Sequence, residues 1–208
     1  MINYVKKFSL KRKKAIVCGG AGLLGREIVL ALAQAGCQVV IADINHKVGK
    51  NFAQTLRSKK LDVSYQDFDI TNIDLLEDNL GNLIKQTKGV DIYVNTAYPH
   101  TSDWNSDVEN ISASSWRENV DMQLNAYALS SKYVAQTMKK NGGSIINMGS
   151  IYGVGGPDFT IYTNTKINNP AIYAAIKGGI TKFGRYLASY YGRYNVRVNT
   201  VCPGGVFD

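Results

Sequence analysis

Tyr173 and Lys177 stand four residues apart in Tyr173-Ala174-Ala175-Ile176-Lys177, a spacing that puts both side chains on one face of a helix. A free phenol ionises at about 10, too high for a base at neutral pH. An ammonium beside it favours the phenolate and brings that value down. Such a pair can pass a proton to or from a substrate oxygen while a hydride moves elsewhere. Alone, Tyr-x-x-x-Lys is common, and a simple helix-face contact explains it equally well. A second signal supports the chemistry: Ser150 closes Asn147-Met148-Gly149-Ser150 at the end of a predicted strand. Strand C-terminal ends of a parallel sheet face the ligand crevice, where a serine hydroxyl can hydrogen-bond the substrate oxygen.

A glycine turn carries the second chemistry. Gly20-Ala21-Gly22-Leu23-Leu24-Gly25 fits G-x-G-x-x-G, and Asp43 follows 18 residues after Gly25. The match comes after an apolar strand pattern and opens a helical one, the context of a dinucleotide-binding turn. Glycines permit a tight turn and let backbone N–H groups, here those around Leu23 and Leu24, approach a pyrophosphate, while the helix N-terminus adds positive potential. Asp43 would accept hydrogen bonds from the adenosine ribose hydroxyls and repel a 2′-phosphate, so NAD is expected over NADP. Without that context the same glycines need only serve a strand–helix turn. A phosphate loop is excluded, because no Lys-Ser/Thr pair follows them.

These residues need elements to hold them. Apolar strand patterns cover 15–18, 38–42 (ending at Asp43), 63–68, 90–95, 143–148 and 196–201, and helical patterns cover 24–35, 46–58, 72–87, 113–140 and 171–191. Strand–helix alternation of this kind means parallel pairing, right-handed crossovers and helices on both faces. The expected fold is α/β: a Rossmann-like doubly wound parallel sheet in three layers, with a basic arm over 1–13 and a single nucleotide-binding domain over 14–208. The segment 151–170 is the exception, long, polar and aperiodic, and loops of that length are usually functional or mobile.

Across residues 14–206 these motifs make the chain resemble the short-chain dehydrogenase/reductase family. In that resemblance Ser150, Tyr173 and Lys177 match the catalytic triad. Tyr173 is the general acid/base, Lys177 lowers its pKa and binds the nicotinamide ribose, and Ser150 orients the substrate oxygen. Gly19-x-x-Gly22-x-x-Gly25, preceded by Cys18, stands where the family has Thr-Gly-x-x-x-Gly-x-Gly. That spacing is closer to the family's extended branch, whereas the rest resembles the classical one. Asp69-Ile70 match the pair at the adenine, and Pro203-Gly204-Gly205-Val206 matches the loop beside the nicotinamide. Asn95-Thr96-Ala97-Tyr98 stands where Asn-Asn-Ala-Gly is usual: Asn95 and Ala97 match, Thr96 and Tyr98 do not. The resemblance implies an NAD-dependent oxidoreductase moving hydride between nicotinamide and a secondary alcohol or ketone. It also implies a homodimer or homotetramer built on the helices over 113–140 and 171–191, near Tyr186, Tyr190, Tyr191 and Tyr194.

Two departures bear on the chemistry. The family's fourth catalytic residue, an Asn that holds a water linking to the Lys, aligns with Gln123, one methylene longer; Asn125 is a possible substitute, and a merely tolerated polar residue is the alternative. Ser150 and Tyr173 are 23 residues apart, more than the family's usual gap, and the excess falls in 151–172. Tyr152, Asp158, Tyr162, Asn164, Thr165, Lys166, Asn168 and Asn169 give that segment many hydrogen-bonding groups. An apolar substrate would want an apolar wall, so a polyhydroxylated or phosphorylated sugar is expected, with Lys166 as an anion contact, although a surface loop capping the site would look the same. The long gap, Ala-Ala-Ile-Lys and Pro-Gly-Gly-Val-Phe-Asp are similar to a subgroup associated with bacterial surface-sugar and flagellin-glycan modification. The chain is also shorter than the family's usual length, so either a C-terminal portion is missing or the sheet and substrate lid are incomplete.

The 208 residues carry 24 basic and 16 acidic side chains, a net charge of +8. Six of the basic groups precede residue 15, and the remainder, 18 against 16, is nearly neutral. The basicity therefore reads as a solvated N-terminal arm, with a phosphate- or membrane-surface arm as the alternative. No nucleic-acid partner is expected, since no recognisable motif lies beyond the arm. No window approaches the ~18 apolar residues of a membrane span, and no membrane partner is expected. Cys18, Cys37 and Cys202 are scattered and odd in number, which fits a reducing compartment and argues against a disulfide framework or a metal site. With no secretory signal pattern, a cytoplasmic protein is expected. Two other functions compete with the leading one: an NADPH-dependent reductase of carrier-bound 3-oxoacyl groups, against which Asp43 speaks, and a non-catalytic dinucleotide-sensing protein, which Gln123 favours and the intact Ser–Tyr–Lys set opposes.

Overall fold

The computed structural model describes residues 5–165 and 168–206; Lys166 lies outside them. Strands β1 (Lys14–Cys18), β2 (Gln38–Asp43), β3 (Val63–Asp67), β4 (Ile92–Asn95), β5 (Gly143–Met148) and β6 (Val196–Val201) form one sheet in the order β3-β2-β1-β4-β5-β6. Every pairing is parallel, and Val17 of β1 stands opposite Ile41 on one side and Val94 on the other. Helices α1 (Leu23–Gln34), α2 (His46–Ser58), α3 (Leu76–Gln86), α4 (Ala113–Asn119), α5 (Ala126–Met138) and α6 (Ala171–Tyr191) cover it. This is the three-layer, doubly wound arrangement the sequence predicts, and the strand order reverses at β1, the place where such sheets bind ligands.

Alternate residues of each strand feed opposite layers. Val17, Val39 and Ile41 pack with Val29 of α1 and Leu56 of α2. Ile16, Cys18 and Val40 pack on the other side with Leu80 of α3, Met138 of α5 and Leu187 of α6. Covered on both faces, the inner strands carry continuous apolar runs instead of alternation. The same packing takes in Tyr191, buried at 5% exposure, whereas Tyr186 and Tyr190 remain exposed. Residues 6–13 are exposed except for the half-buried Leu10, and two of them meet the body: the Leu10 N–H donates to the Ala35 carbonyl at 2.8 Å, and Lys13 pairs with Asp91 at 2.9 Å.

Element bounds follow the sequence patterns closely, with one difference of kind. The helical stretch over 113–140 is interrupted by a π-helical turn, Val120–Asn125, between α4 and α5. Such turns widen the helix and often mark functional sites. Here Gln123 is completely buried, while Asn125 stays on the surface and donates to Asp121 at 2.9 Å, so Asn125 cannot take over the buried amide's place. The aperiodic segment 151–170 contains two short 3-10 turns, Ile151–Gly153 and Phe159–Tyr162.

The turn between β1 and α1 packs backbone on backbone. Gly19 sits at φ 72°, and a Cβ on it would lie 2.6 Å from the Ala97 nitrogen; a Cβ on Gly25 would lie 2.1 Å from the Gly19 carbonyl oxygen. At Gly22 a Cβ would come only to 3.3 Å from that same oxygen. Gly25→Ala is therefore expected to cost about 2–4 kcal/mol by overpacking and backbone displacement, and Gly22→Ala less than about 1 kcal/mol. Urea denaturation of the two variants checks this; equal losses contradict the assigned contacts.

Candidate active site

A crevice of about 760 Å³ opens at the C-terminal ends of the strands. Its floor is the β1–α1 turn. Gly19, Gly22, Leu23, Leu24 and Gly25 all line it, and Gly22 caps α1 in extended conformation with no side-chain acceptor. The first-turn N–H groups of α1 have no intrahelical acceptor, which suits them to an anionic group above the turn. Asp43 ends β2 and also lines the crevice. Its carboxylate accepts from the Ala21 N–H at 2.9 Å and the Asn45 N–H at 2.8 Å. A carboxylate has about four acceptor positions, so two stay available for a ribose diol. Asp69 and Ile70 lie at the same end of the crevice, with the Asp69 carboxylate fixed by the Thr71 N–H and hydroxyl at 2.8 and 2.7 Å. The glycine floor and the acceptors at β2 fit a dinucleotide.

The other end of the crevice gathers the proton-handling residues. Tyr173 and Lys177, on the first two turns of α6, both line it, as do Ala97, Pro203, Gly204 and Val206. Ser150 directly follows the lining residues Met148 and Gly149; it is 4% exposed, and its hydroxyl accepts from the Tyr152 N–H at 3.2 Å. Asn95 is wholly buried behind the wall; its carbonyl accepts from the Ala97 N–H at 3.2 Å and so shapes the crevice without lining it. Gln123 is also buried, and neither its Oε1 nor its Nε2 finds a protein partner among the described residues.

Lys177 is 3% exposed, and its ammonium donates to the Met148 carbonyl at 2.9 Å. Its Nζ lies 5.3 Å from the Tyr127 ring centre and 5.6 Å from those of Tyr98 and Tyr173. Burial penalises the charged form and brings Lys177 down to about 8, with Cys202 opposing. Burial likewise pushes Tyr98 up to about 12, helped by Tyr173 and opposed by the Trp104 indole, and drives Tyr127 well above the usual phenol range. Both rings therefore stay neutral at physiological pH.

The segment following β4 supplies a wall the sequence reading missed. Tyr98 meets the Tyr173 ring edge-to-face, with centres 6.0 Å apart, and Trp104 does so from another side at 6.1 Å. Trp104 is buried, stacks on His100 at 5.8 Å and meets Tyr98 at 5.7 Å. The one sequence signal was Tyr98 itself, a bulky ring at a position where glycine is usual. The segment 151–170 behaves differently from the predicted polar lining, for none of its singled-out residues among those described lines the crevice. Tyr152 and Tyr162 hydrogen-bond each other; Asp158 accepts from the Thr160 N–H and hydroxyl; Asn168 donates to the Asn105 carbonyl at 2.9 Å and to Asp107 at 3.1 Å. Its polar groups mostly bond within the segment or to the post-β4 loop, and Ile151, Val154, Phe159 and Ile161 are its exposed large hydrophobics.

A crevice at the strand C-terminal ends, lined by the glycine turn, Asp43, Tyr173 and Lys177, fits an oxidoreductase of the doubly wound α/β class. Comparison with known proteins places it further: the family described as short chain dehydrogenase matches residues 13–207. The chain is 30% identical over 210 residues to the post-translational flagellin modification protein A of Campylobacter coli, covering 96% of this chain and 79% of that one. It is 32% identical over 198 residues to a 3-oxoacyl-[acyl-carrier-protein] reductase of Chlamydia muridarum, covering 94% and 74%. The solved short chain dehydrogenase of Leptospira borgpetersenii with bound NAD+ superposes with a TM-score of 0.79 at 30% identity, covering 100% of this chain and 76% of that one. The chain belongs to the short chain dehydrogenase family. It is an oxidoreductase acting on CH–OH groups of small molecules with NAD(P).

Lys177 gives a stability test. Its folded value of about 8 lies below the ordinary 10.5, so the unfolded chain binds more protons between those pH values and native stability rises with pH across that window. At pH 7 the buried charge is fully penalised. Lys177→Met is expected to be more stable than wild type by about 1–3 kcal/mol at pH 7, with the advantage shrinking above pH 8. Urea denaturation at a series of pH values reads this, and a variant less stable than wild type at pH 7 contradicts burial as the dominant cause.

Proposed function

We propose that the protein is an NAD-dependent dehydrogenase of a polar, sugar-like secondary alcohol, with residues 14–208 working as one nucleotide-binding unit. The observation that carries this reading is that Tyr173 and Lys177 line the same crevice as the glycine turn and Asp43, with Ser150 directly following the lining residues Met148 and Gly149. When bound, the nicotinamide supplies the hydride acceptor or donor. The chain's own residues do the rest. Tyr173 hands a proton to, or takes it from, the substrate oxygen. The Lys177 ammonium favours the phenolate and holds the nicotinamide ribose. Ser150 orients the substrate oxygen, and the buried Gln123 amide offers polar atoms to a proton path behind Lys177. The glycine turn, Asp69 and Ile70, Asn95 and Ala97, and Pro203, Gly204 and Val206 hold the dinucleotide.

Preference for NAD over NADP rests on the Asp43 charge at the ribose end. The sugar-like substrate is supported by the amphipathic rings of Tyr98 and Trp104 that meet Tyr173, and by the similarity to a flagellin modification protein. The three cysteines are free thiols, in keeping with a reducing, cytoplasmic setting. A homodimer or homotetramer is supported by the exposed Tyr186 ring, stacked on the half-buried Phe183 along α6. A second reading, an NADPH-dependent 3-oxoacyl reductase, draws on the Chlamydia relative and is opposed by Asp43.

A screen of sugars, sugar phosphates and nucleotide-sugars with NAD+, followed at the NADH absorbance, tests the substrate class; activity confined to acyl thioesters with NADPH favours the second reading. On any substrate found, Tyr173→Phe is expected to lower turnover about 10²–10⁴-fold while NADH binding, followed by fluorescence, persists. Unchanged turnover removes Tyr173 from the chemistry. Asp43→Ala is expected to cut the NAD-over-NADP preference at least about ten-fold, one pairing's worth of binding energy; an enzyme that already prefers NADP overturns that reading of the acid.

A further inference from the structure

In a parallel sheet the helix C-termini and the helix-to-strand turns collect at the edge opposite the crevice. On this chain that edge is crowded with cations. Lys11, Arg12, Lys13 and Lys14 lead into β1, and Lys59 and Lys60 into β3. Lys85 and Lys88 lead into β4, Lys139 and Lys140 into β5, and Arg193 into β6. With Lys6 and Lys7 this edge holds 13 of the 24 basic residues, against Asp62 and Asp91 of the 16 acidic ones. It carries +11, and the rest of the chain −3. The excess is thus spread along one face of the body, where the linear sequence suggested a charged arm on a neutral domain.

Contacts show that these turns adjoin one another. Lys13 reaches Asp91 at 2.9 Å, the Lys14 ammonium donates to the Lys88 carbonyl at 2.7 Å, and the Gly143 N–H donates to the Asn195 carbonyl at 3.1 Å. Six strands make the edge about 24 Å across at ~4.8 Å per strand. Cations are favoured at helix C-termini, which accounts for Lys85 and Lys139. That preference does not account for Arg12, Lys60 and Lys88, held at φ 66°, 62° and 56°, where glycine or asparagine would sit with less strain. Aromatic groups project beside the cations: Phe8 is 78% exposed on the arm, and Tyr190, 43% exposed, has Arg193 over its ring at 4.8 Å. A row of turns offers no helix to enter a nucleic-acid groove and no stacking platform for bases. Cations with interspersed aromatics on a broad edge match a plane of anionic headgroups.

We propose that this edge docks the protein reversibly on an anionic lipid bilayer, leaving the crevice at the opposite end of the strands open to solvent. The contact is peripheral: no helix among the described residues is long and apolar enough to cross a membrane. Co-sedimentation with vesicles tests it. The protein is expected to bind phosphatidylcholine vesicles containing about 30% phosphatidylglycerol at about 0.1 M salt, to ignore pure phosphatidylcholine, and to be released at about 0.5 M salt. A variant combining Lys59→Glu, Lys60→Glu, Lys139→Glu and Lys140→Glu, all exposed positions, is expected to partition at least about ten-fold less, with its circular dichroism and NADH binding retained. No binding, equal binding to both vesicle types, or a variant that binds like wild type overturns the proposal. So does a duplex oligonucleotide that strips the protein from the vesicles at equal phosphate concentration, which would assign the edge to nucleic acid.

Discussion

Six strands running the same way impose a polarity on the whole molecule. Every helix must return antiparallel to them, so helix N-termini and strand C-termini share one edge while helix C-termini share the other. The first edge has free N–H groups above Gly22 and the carboxylate of Asp43; the second has the carbonyl ends of α2, α3 and α5 and the lysines beside them. A dinucleotide at one end and a cationic band at the other are two results of a single directional constraint, and both depend on apolar strands buried from each side.

Within the crevice the balance of forces at Lys177 is lopsided. Each of the three rings around its ammonium offers about 0.5–2 kcal/mol of cation–π attraction. One neutral carbonyl adds a hydrogen bond at 2.9 Å, and among the described residues no carboxylate is bonded to it. Removing the charge from water costs several kcal/mol, and the lowering to about 8 shows that desolvation wins. The lysine is thus held at the cost of native stability. Tyr98 and Tyr127, driven upward by the same burial, cannot serve as its counter-anion.

Most of this fold was legible because the inner strands are short apolar runs and each helix follows with its own periodicity, as in Gln38–Asp43 followed by His46–Ser58. The glycine turn was legible because backbone geometry demands a particular residue type there, as at Gly19 and Gly25. Three things were not. The π turn at Val120–Asn125 shares the apolar pattern of an ordinary helix and is set by tertiary packing. The Tyr98, His100 and Trp104 cluster lies in a loop whose contacts are made in space, so spacing along the chain carries no trace of it. The polar residues of 151–170 looked available for substrate because a sequence does not show that Tyr152 meets Tyr162 or that Asn168 reaches Asp107.

Asp43 has a double attachment whose effects reach beyond the ribose. One of its oxygens holds the Ala21 N–H inside the glycine turn, and the other starts the approach to α2 through Asn45. On the reading of the acid proposed above, cofactor choice and turn geometry are a single trait in this chain. A lineage drifting toward a phosphorylated dinucleotide cannot exchange the acid for a small neutral residue without also releasing the loop under the pyrophosphate. The compensation would have to arise at Ala21 or Asn45, positions that never touch the added phosphate.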